Sequence, residues 1–339
     1  MVAITFLFSC KANFQLLQKA DNSYNITTIE QLQDEKYAQK IEDFYNNGEE
    51  GKFAGRADVD IYFKIFRQPR NEKAAILISA GRTEAALKYK ELIFDLYNNG
   101  YSIYIHDHRG QGLSGRMTED PEMGFVDTFQ YYIDDMKYFY DNYLKPDKHN
   151  KIFLLAHSMG GAIGMTYLEQ YPNDFNAAAF SSPMLGLKPP TCCVIKIITG
   201  KKIKYAPGTG KYNDNEIPFD KNKLTGCEIR YQRMNAAFGI DTTARLGGAT
   251  SLWVKKSCQQ FKYLFKNIDK IETPFLLLSA ENDNIVDVHA HQKFVEKAQK
   301  LGKICKAFVV TNAQHELLIE KDEQRIETVN EILKFYSEY

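Results

Sequence analysis

Ile152-Phe153-Leu154-Leu155-Ala156-His157-Ser158-Met159-Gly160-Gly161-Ala162 begins as an apolar run and stops abruptly at a small-x-Ser-x-Gly element. Helix-like patterning starts immediately afterwards and continues to Tyr171, where Pro172 ends it. A serine that projects from a tight strand-to-helix turn needs small residues two positions before and two after it, because larger side chains collide with the neighbouring backbone. Ala156 and Gly160 meet that need, although glycine is commoner at the first position. The stretch therefore predicts a buried strand, a strained turn that presents Ser158, and a helix.

Working outward, the same rhythm recurs on both sides. Segments 74–79, 101–106, 151–157, 177–181, 274–279 and 306–311 read as short buried strands, separated by helical or loop segments. Residues 51–55 and the alternating 59–66 read as an antiparallel edge pair that Pro69 closes. Phe129, Tyr132, Ile133, Met136, Tyr140 and Tyr143 recur at spacings of three and four, which predicts one helix with a single apolar stripe, stopped by Pro146. Strands alternating with helices define an α/β fold with a mostly parallel central sheet and helices on both faces. The alternation breaks after Ser182, where Pro189-Pro190, Pro207, Pro218 and scattered glycines intervene, and it resumes at Phe275.

The 339 residues suffice for one large α/β domain with an insertion. Lys and Arg total 43 and Asp and Glu total 43, so the chain lacks the electrostatic footprint of a nucleic-acid binder. Six cysteines, at 10, 192, 193, 227, 258 and 305, show no C-x-x-C spacing, so no metal site and no other cofactor is expected. Most read as buried thiols, with Cys227 and Cys258 as a bridging pair if the protein is exported. The apolar run 2–8, followed by Ser9-Cys10 and a polar stretch, reads as the tail of a signal peptide with a lipoprotein-type cysteine, though a basic n-region is missing. A cell-envelope location, lipid-anchored through Cys10, is expected, with a cytoplasmic or inner-membrane-peripheral protein as the alternative.

A serine hydroxyl is a weak nucleophile until a base removes its proton, so the chain should supply a histidine, an acid to orient it and N–H donors for an oxyanion. In sheets of this topology the order is serine, acid, histidine. Asp283 lies in the polar turn Ala280-Glu281-Asn282-Asp283-Asn284 after a late strand, and His315 lies one loop beyond the last strand. Glu281 and Asp287 are alternative acids, Asp287 fitting better as the N-cap of the helix that follows. His106, His108 and His157 are explained by turn and packing roles. The expected oxyanion donors are the backbone of Met159 and the loop 79–84.

Together these residues resemble the α/β-hydrolase branch that contains bacterial lysophospholipases and monoacylglycerol lipases. The resemblance runs from Phe53 to the C-terminus. It includes Ala80-Gly81-Arg82, Asp107-His108-Arg109-Gly110-Gln111-Gly112-Leu113-Ser114, the turn around Ser158, Ser182-Pro183-Met184, Pro207-Gly208-Thr209-Gly210, Gly247-Gly248 and Gln314-His315-Glu316. It implies Ser158, Asp283 and His315 as catalytic triad, Arg82 and Met159 as oxyanion N–H donors, and a single-chain lipid substrate, a lysophospholipid or monoacylglycerol. Monoglyceride lipases commonly carry His-Gly where this chain has Ala80-Gly81, and the glycine pieces near Trp253 are closer to the lysophospholipase side. The expected organisation is a leader and tether at 1–25, a hydrolase core at 26–182 and 258–339, and a lid at 183–257. Val194, Ile195, Ile197, Ile198 and Ile203 are the candidate apolar inner face of that lid. Lys188, Lys196, Lys201, Lys202, Lys204 and Lys211, with no acid between Met184 and Asn213, point to peripheral membrane contact through it.

Overall fold

A computed structural model describes residues 14–200, 202–212 and 217–339. Cys10, Lys201 and the apolar run at 2–8 lie outside them. The strands are β1 (Gln15–Leu16), β2 (Glu49–Ala54), β3 (Asp60–Phe66), β4 (Ala74–Ser79), β5 (Tyr101–His106), β6 (Ile152–His157), β7 (Ala177–Ser181), β8 (Phe275–Ala280) and β9 (Cys305–Val310). They form one sheet in the order β1-β9-β8-β7-β6-β4-β5-β3-β2. β2/β3 and β3/β5 are antiparallel and the other pairs are parallel. β1 pairs with β9, so part of the segment read as tether lies on the sheet edge.

Among the described residues, ten α-helices accompany the sheet: α1 (Ile29–Gln33), α2 (Glu35–Asn46), α3 (Lys90–Asn98), α4 (Gln130–Phe139), α5 (Met159–Gln170), α6 (Thr191–Ile198), α7 (Glu228–Ile240), α8 (Ser251–Asn267), α9 (Val288–Lys300) and α10 (Asp322–Ser337). Alternate strand residues feed two cores because successive side chains leave a strand on opposite faces. Ala75, Leu77, Phe275 and Leu277 join α4, α5, α8 and α9 on one face. Ile76, Ile78, Leu276 and Leu278 join α3 and α10 on the other. The apolar stripe on α4 packs as its spacing predicts, but the helix widens into a π-turn at Tyr140–Leu144 and then tightens into a 3-10 turn at Lys145–Asp147 that contains Pro146.

The segment between β7 and β8 carries α6, α7 and α8, and α8 runs unbroken across position 257. Two expectations for it are corrected. Cys258 is bridged to Cys192, with α-carbons 5.6 Å apart, while Cys227 is a buried free thiol at the start of α7 and Cys193 is exposed. Sequence separation carries no information about which cysteines meet; α6 packs beside α8, and α7 does not bring Cys227 there. Apart from Ile195, the apolar residues on and just after α6 also do not line an interior. Ile195 is buried, whereas Ile197 is 84 % exposed and Val194, Ile198 and Ile203 face solvent. Among the described residues, no helix is long and apolar enough to cross a membrane.

Candidate active site

The turn between β6 and α5 holds Ser158 at φ 50° and ψ −118°, a left-handed conformation that costs a non-glycine residue energy and persists only where the surroundings enforce it. They do so through hydrogen bonds from Ser158 N to Ser181 O (3.1 Å) and from Met184 N and Gly161 N to Ser158 O (2.8 and 2.9 Å). A Cβ at Gly160 would stand 2.1 Å from the carbonyl oxygen of Ser79, so only glycine lets α5 approach β4 this closely.

His315 follows β9 in a loop tied to the turn after β8. Asn282 N donates to Ala313 O at 2.9 Å, and Asn312 N donates to a Glu281 carboxylate oxygen at 2.8 Å. That linkage brings the three predicted side chains together. His315 Nε2 is 2.9 Å from Ser158 Oγ, and His315 Nδ1 is 2.7 Å from Asp283 Oδ2. The other Asp283 oxygen accepts the N–H groups of Ile285 and Val286 at 2.8 and 3.0 Å. Burial opposes charge on Asp283, but the His315 hydrogen bond and these two donors hold its carboxyl below the usual carboxylate range. Glu281 braces the loop instead, and Asp287 caps α9 through His289 N at 3.1 Å.

Met159 N begins α5, so its N–H sits at a helix end where the backbone dipole favours negative charge. Arg82, two residues beyond Ala80, lines the same cavity as Ser158. The Asp107–Ser114 motif is the scaffold beneath this loop. Asp107 accepts the N–H groups of Ala86 (2.6 Å) and Leu113 (2.8 Å), and a Cβ at Gly112 would fall 2.1 Å from the same carboxylate. Arg109 makes a two-pronged, buried pair with Asp135 of α4 at 2.7 and 2.8 Å. Gln111 donates to the carbonyls of Gly81 and Glu84 at 2.7 and 2.8 Å, bracing the loop that carries Arg82. His106 and His108 are buried behind it and held neutral by desolvation, with His108 lowered to about 4.

One buried cluster escaped the sequence reading. Glu84, Lys88, His157 and Glu316 meet under the reactive groups, contributed by the loop after β4, the residue before Ser158 and the residue after His315. Lys88 pairs with Glu84 and, at 2.6 Å, with Glu316; His157 Nε2 lies 3.1 Å from Glu316. Burial raises the carboxyl of Glu316, but Lys88 and His157 outweigh it and hold the group well below its usual range. Burial likewise disfavours charge on His157, yet Glu316 and Glu84 raise it. Glu84, His157 and Glu316 have the mutual spacing of a metal site, with ligand atoms within 4.8 Å of one another. The Lys88 ammonium already bridges both carboxylates, so the donor set is that of an internal ion pair.

A cavity of about 640 Å³ opens over Ser158 and His315. Its apolar wall comes from Met184, Leu187, Met234, Phe238, Trp253 and Val286, drawn from several parts of the 183–257 segment and the loop before α9.

Fold, chain order and site geometry define an α/β-hydrolase, and the chain is a serine ester hydrolase. It belongs to the family described as serine aminopeptidase, S33, whose model matches residues 70–322. Lysophospholipase L2 of Escherichia coli is 34 % identical over 310 residues, covering 88 % of this chain and 90 % of that protein. A probable lysophospholipase L2 of Haemophilus influenzae is 36 % identical over 295 residues, covering 84 % of this chain and 91 % of that protein. The crystal structure of a soluble variant of monoglyceride lipase from Saccharomyces cerevisiae shares the fold, with a TM-score of 0.67 and 20 % identity over 86 % of this chain and 94 % of that one.

Proposed function

We propose that the protein hydrolyses the carboxylic ester of a lysophospholipid, with Ser158 as nucleophile, His315 as general base and Asp283 as orienting acid. The observation that carries the reading is the 2.9 Å approach of His315 Nε2 to Ser158 Oγ. His315 takes the serine proton as Oγ attacks the ester carbonyl. The resulting oxyanion is held by the backbone N–H groups of Met159 and Arg82, each such donor contributing roughly 3 kcal/mol to the transition state. His315 then protonates the departing glycerol oxygen and leaves an acyl group on Ser158, which a His315-activated water releases as fatty acid. Asp283 keeps Nδ1 protonated and Nε2 free for the serine. The apolar cavity wall favours long acyl chains, since each buried methylene contributes about 0.8 kcal/mol. The L2-type relatives support a lysophospholipid over a monoacylglycerol, because the monoglyceride lipases match at lower identity, 24 % for the human protein.

The 183–257 segment acts as the lid, and α6 as its membrane-facing surface. Exposed Val194, Ile197, Ile198 and Ile203 stand among exposed Lys196, Lys202 and Lys204, the combination that seats a helix on an anionic bilayer surface. A bridge such as Cys192–Cys258 persists in oxidising compartments, which supports the cell envelope as location.

The test is a hydrolysis panel of lysophosphatidylcholine, monoacylglycerol and a short p-nitrophenyl ester, with Ser158→Ala as control. Lysophospholipid turnover should dominate and vanish in the control. Fluorophosphonate labelling that survives in Ser158→Ala, or a folded wild type inert on all three esters, would overturn the reading.

A further inference from the structure

Among the described residues, Arg82 is a part-buried cation that lines the cavity over Ser158 with no carboxylate paired to it. One guanidinium nitrogen donates to Gly247 O at 2.7 Å, and the guanidinium carbon lies 5.3 Å from the centre of the Trp253 ring. Its Nε is buried without a hydrogen-bond partner, and the side chain's contacts among the described residues are the Gly247 carbonyl and the Trp253 ring, with no Asp or Glu. Burial lowers the group to about 10, the signature of a charge that its surroundings have not compensated. The two carboxylates that line the described cavity, Glu84 and Glu316, are both committed to Lys88, while Lys211, itself 3.9 Å from Asp120, and Arg245 also line it. The platform under Arg82 is built for the purpose: Gly248 N donates to Gly210 O at 2.7 Å and Gly124 N to Gly248 O at 2.9 Å, which fixes the Gly247 carbonyl against the guanidinium.

Resting on the lysophospholipid reading, we propose that the Arg82 side chain is the headgroup subsite, taking the phosphodiester of the substrate while the backbone N–H of the same residue faces the ester oxygen. An arginine stem and a glycerol unit have matching reach, so one residue addresses both ends of the polar part of the lipid. A planar guanidinium pairs two N–H groups with two phosphate oxygens, and a desolvated cation gains most from an anion that enters with it. An uncharged monoacylglycerol leaves that cation uncompensated. Arg82 thereby becomes the residue that sets headgroup preference.

The experiment compares kcat/KM for lysophosphatidylglycerol and for a monoacylglycerol of the same acyl chain in wild type, Arg82→Gln and Arg82→Lys. The expected result is a fall in the phospholipid-to-monoacylglycerol ratio of at least about tenfold in Arg82→Gln, with partial recovery in Arg82→Lys. A ratio unchanged in Arg82→Gln overturns the inference. Wild type alone gives a second readout should Arg82→Gln fail to fold: sn-glycerol 3-phosphate should slow fluorophosphonate labelling of Ser158 where glycerol does not. Equal effects of the two, or protection by oleate only, overturn the proposal. Failure of the esterase reading looks different, since wild type would then turn over neither lipid.

Discussion

The Lys88 ammonium lies 2.6 Å from a carboxylate oxygen of Glu316, which joins the loop after β4 to the residue that follows His315 across 228 positions of chain. The same ammonium holds Glu84, and Glu84 in turn accepts the backbone N–H of Gly81. The loop of His315, the turn of Ser158 and the loop of Gly81 and Arg82 therefore share one buried ionic node.

Removing the cation leaves two carboxylates buried against each other. Lys88→Met should lose about 3 to 5 kcal/mol of stability by urea denaturation, and Lys88→Met/Glu316→Gln should recover part of it. Additive losses in that double-mutant cycle would show that the two residues act independently.

Asp283→Asn should lower kcat by roughly 10⁴-fold with KM changed little, because the amide presents the wrong partner to His315 Nδ1 while the backbone donors keep the turn in place. Steady-state kinetics on the preferred lysophospholipid checks this. A loss under tenfold would point to another acid.

Ser158 stores strain at φ 50°. Ser158→Gly, which relieves it, should resist urea better than Ser158→Ala by roughly 1 kcal/mol, while neither variant should turn over ester. Equal midpoints would mean that the turn is unstrained.

Glu169 on α5 is buried with neither carboxylate oxygen hydrogen-bonded, and desolvation raises it to about 9. The folded state thus holds a proton that the unfolded chain releases near pH 4.5, so native stability declines as pH rises from about 4.5 to about 9. Glu169→Gln has no proton to lose. Its melting temperature relative to wild type should be higher at pH 9 than at pH 5, by the equivalent of at least about 1 kcal/mol; a constant offset would contradict the assignment.

Ile197→Glu and Ile198→Glu should weaken sedimentation with phosphatidylglycerol vesicles by about tenfold or more, and Lys202→Glu/Lys204→Glu should do so most at low salt. Binding to neutral and anionic vesicles that ignores all four changes would remove α6 from the membrane.

The centre of the sheet was legible because strands such as β4 and β8 are buried on both faces, so 74–79 or 274–279 reads as a largely apolar run before a polar turn. That Ser158, Asp283 and His315 would meet was legible because chain order and strand ends constrain their positions jointly. Glu84, Lys88 and Glu316 were not, since a charge read singly looks solvated and only the fold reveals that three loops press these together. The side chain of Arg82 escaped for the same reason: the sequence drew notice to its backbone. α6 misled by its composition, because apolar spacing tells that a helix has an oily flank and not which way that flank is turned. The partner of Cys258 depended on helix adjacency, for which no local pattern exists.

The bridge from Cys192 to Cys258 has a mechanical corollary. Cysteines joined in this way keep their α-carbons within about 7 Å of each other, and α8 is itself fastened to α5 by Gln260, whose Nε2 donates to Thr166 Oγ1 at 2.6 Å. α6 is thereby moored to the very helix that Met159 begins, and it cannot lift away like a hinged flap. If 183–257 is the lid proposed above, the opening that admits substrate falls to stretches farther along, pivoting about a fixed post. The oily flank of α6 keeps a constant depth relative to Ser158, like a gauge set into the wall of the site.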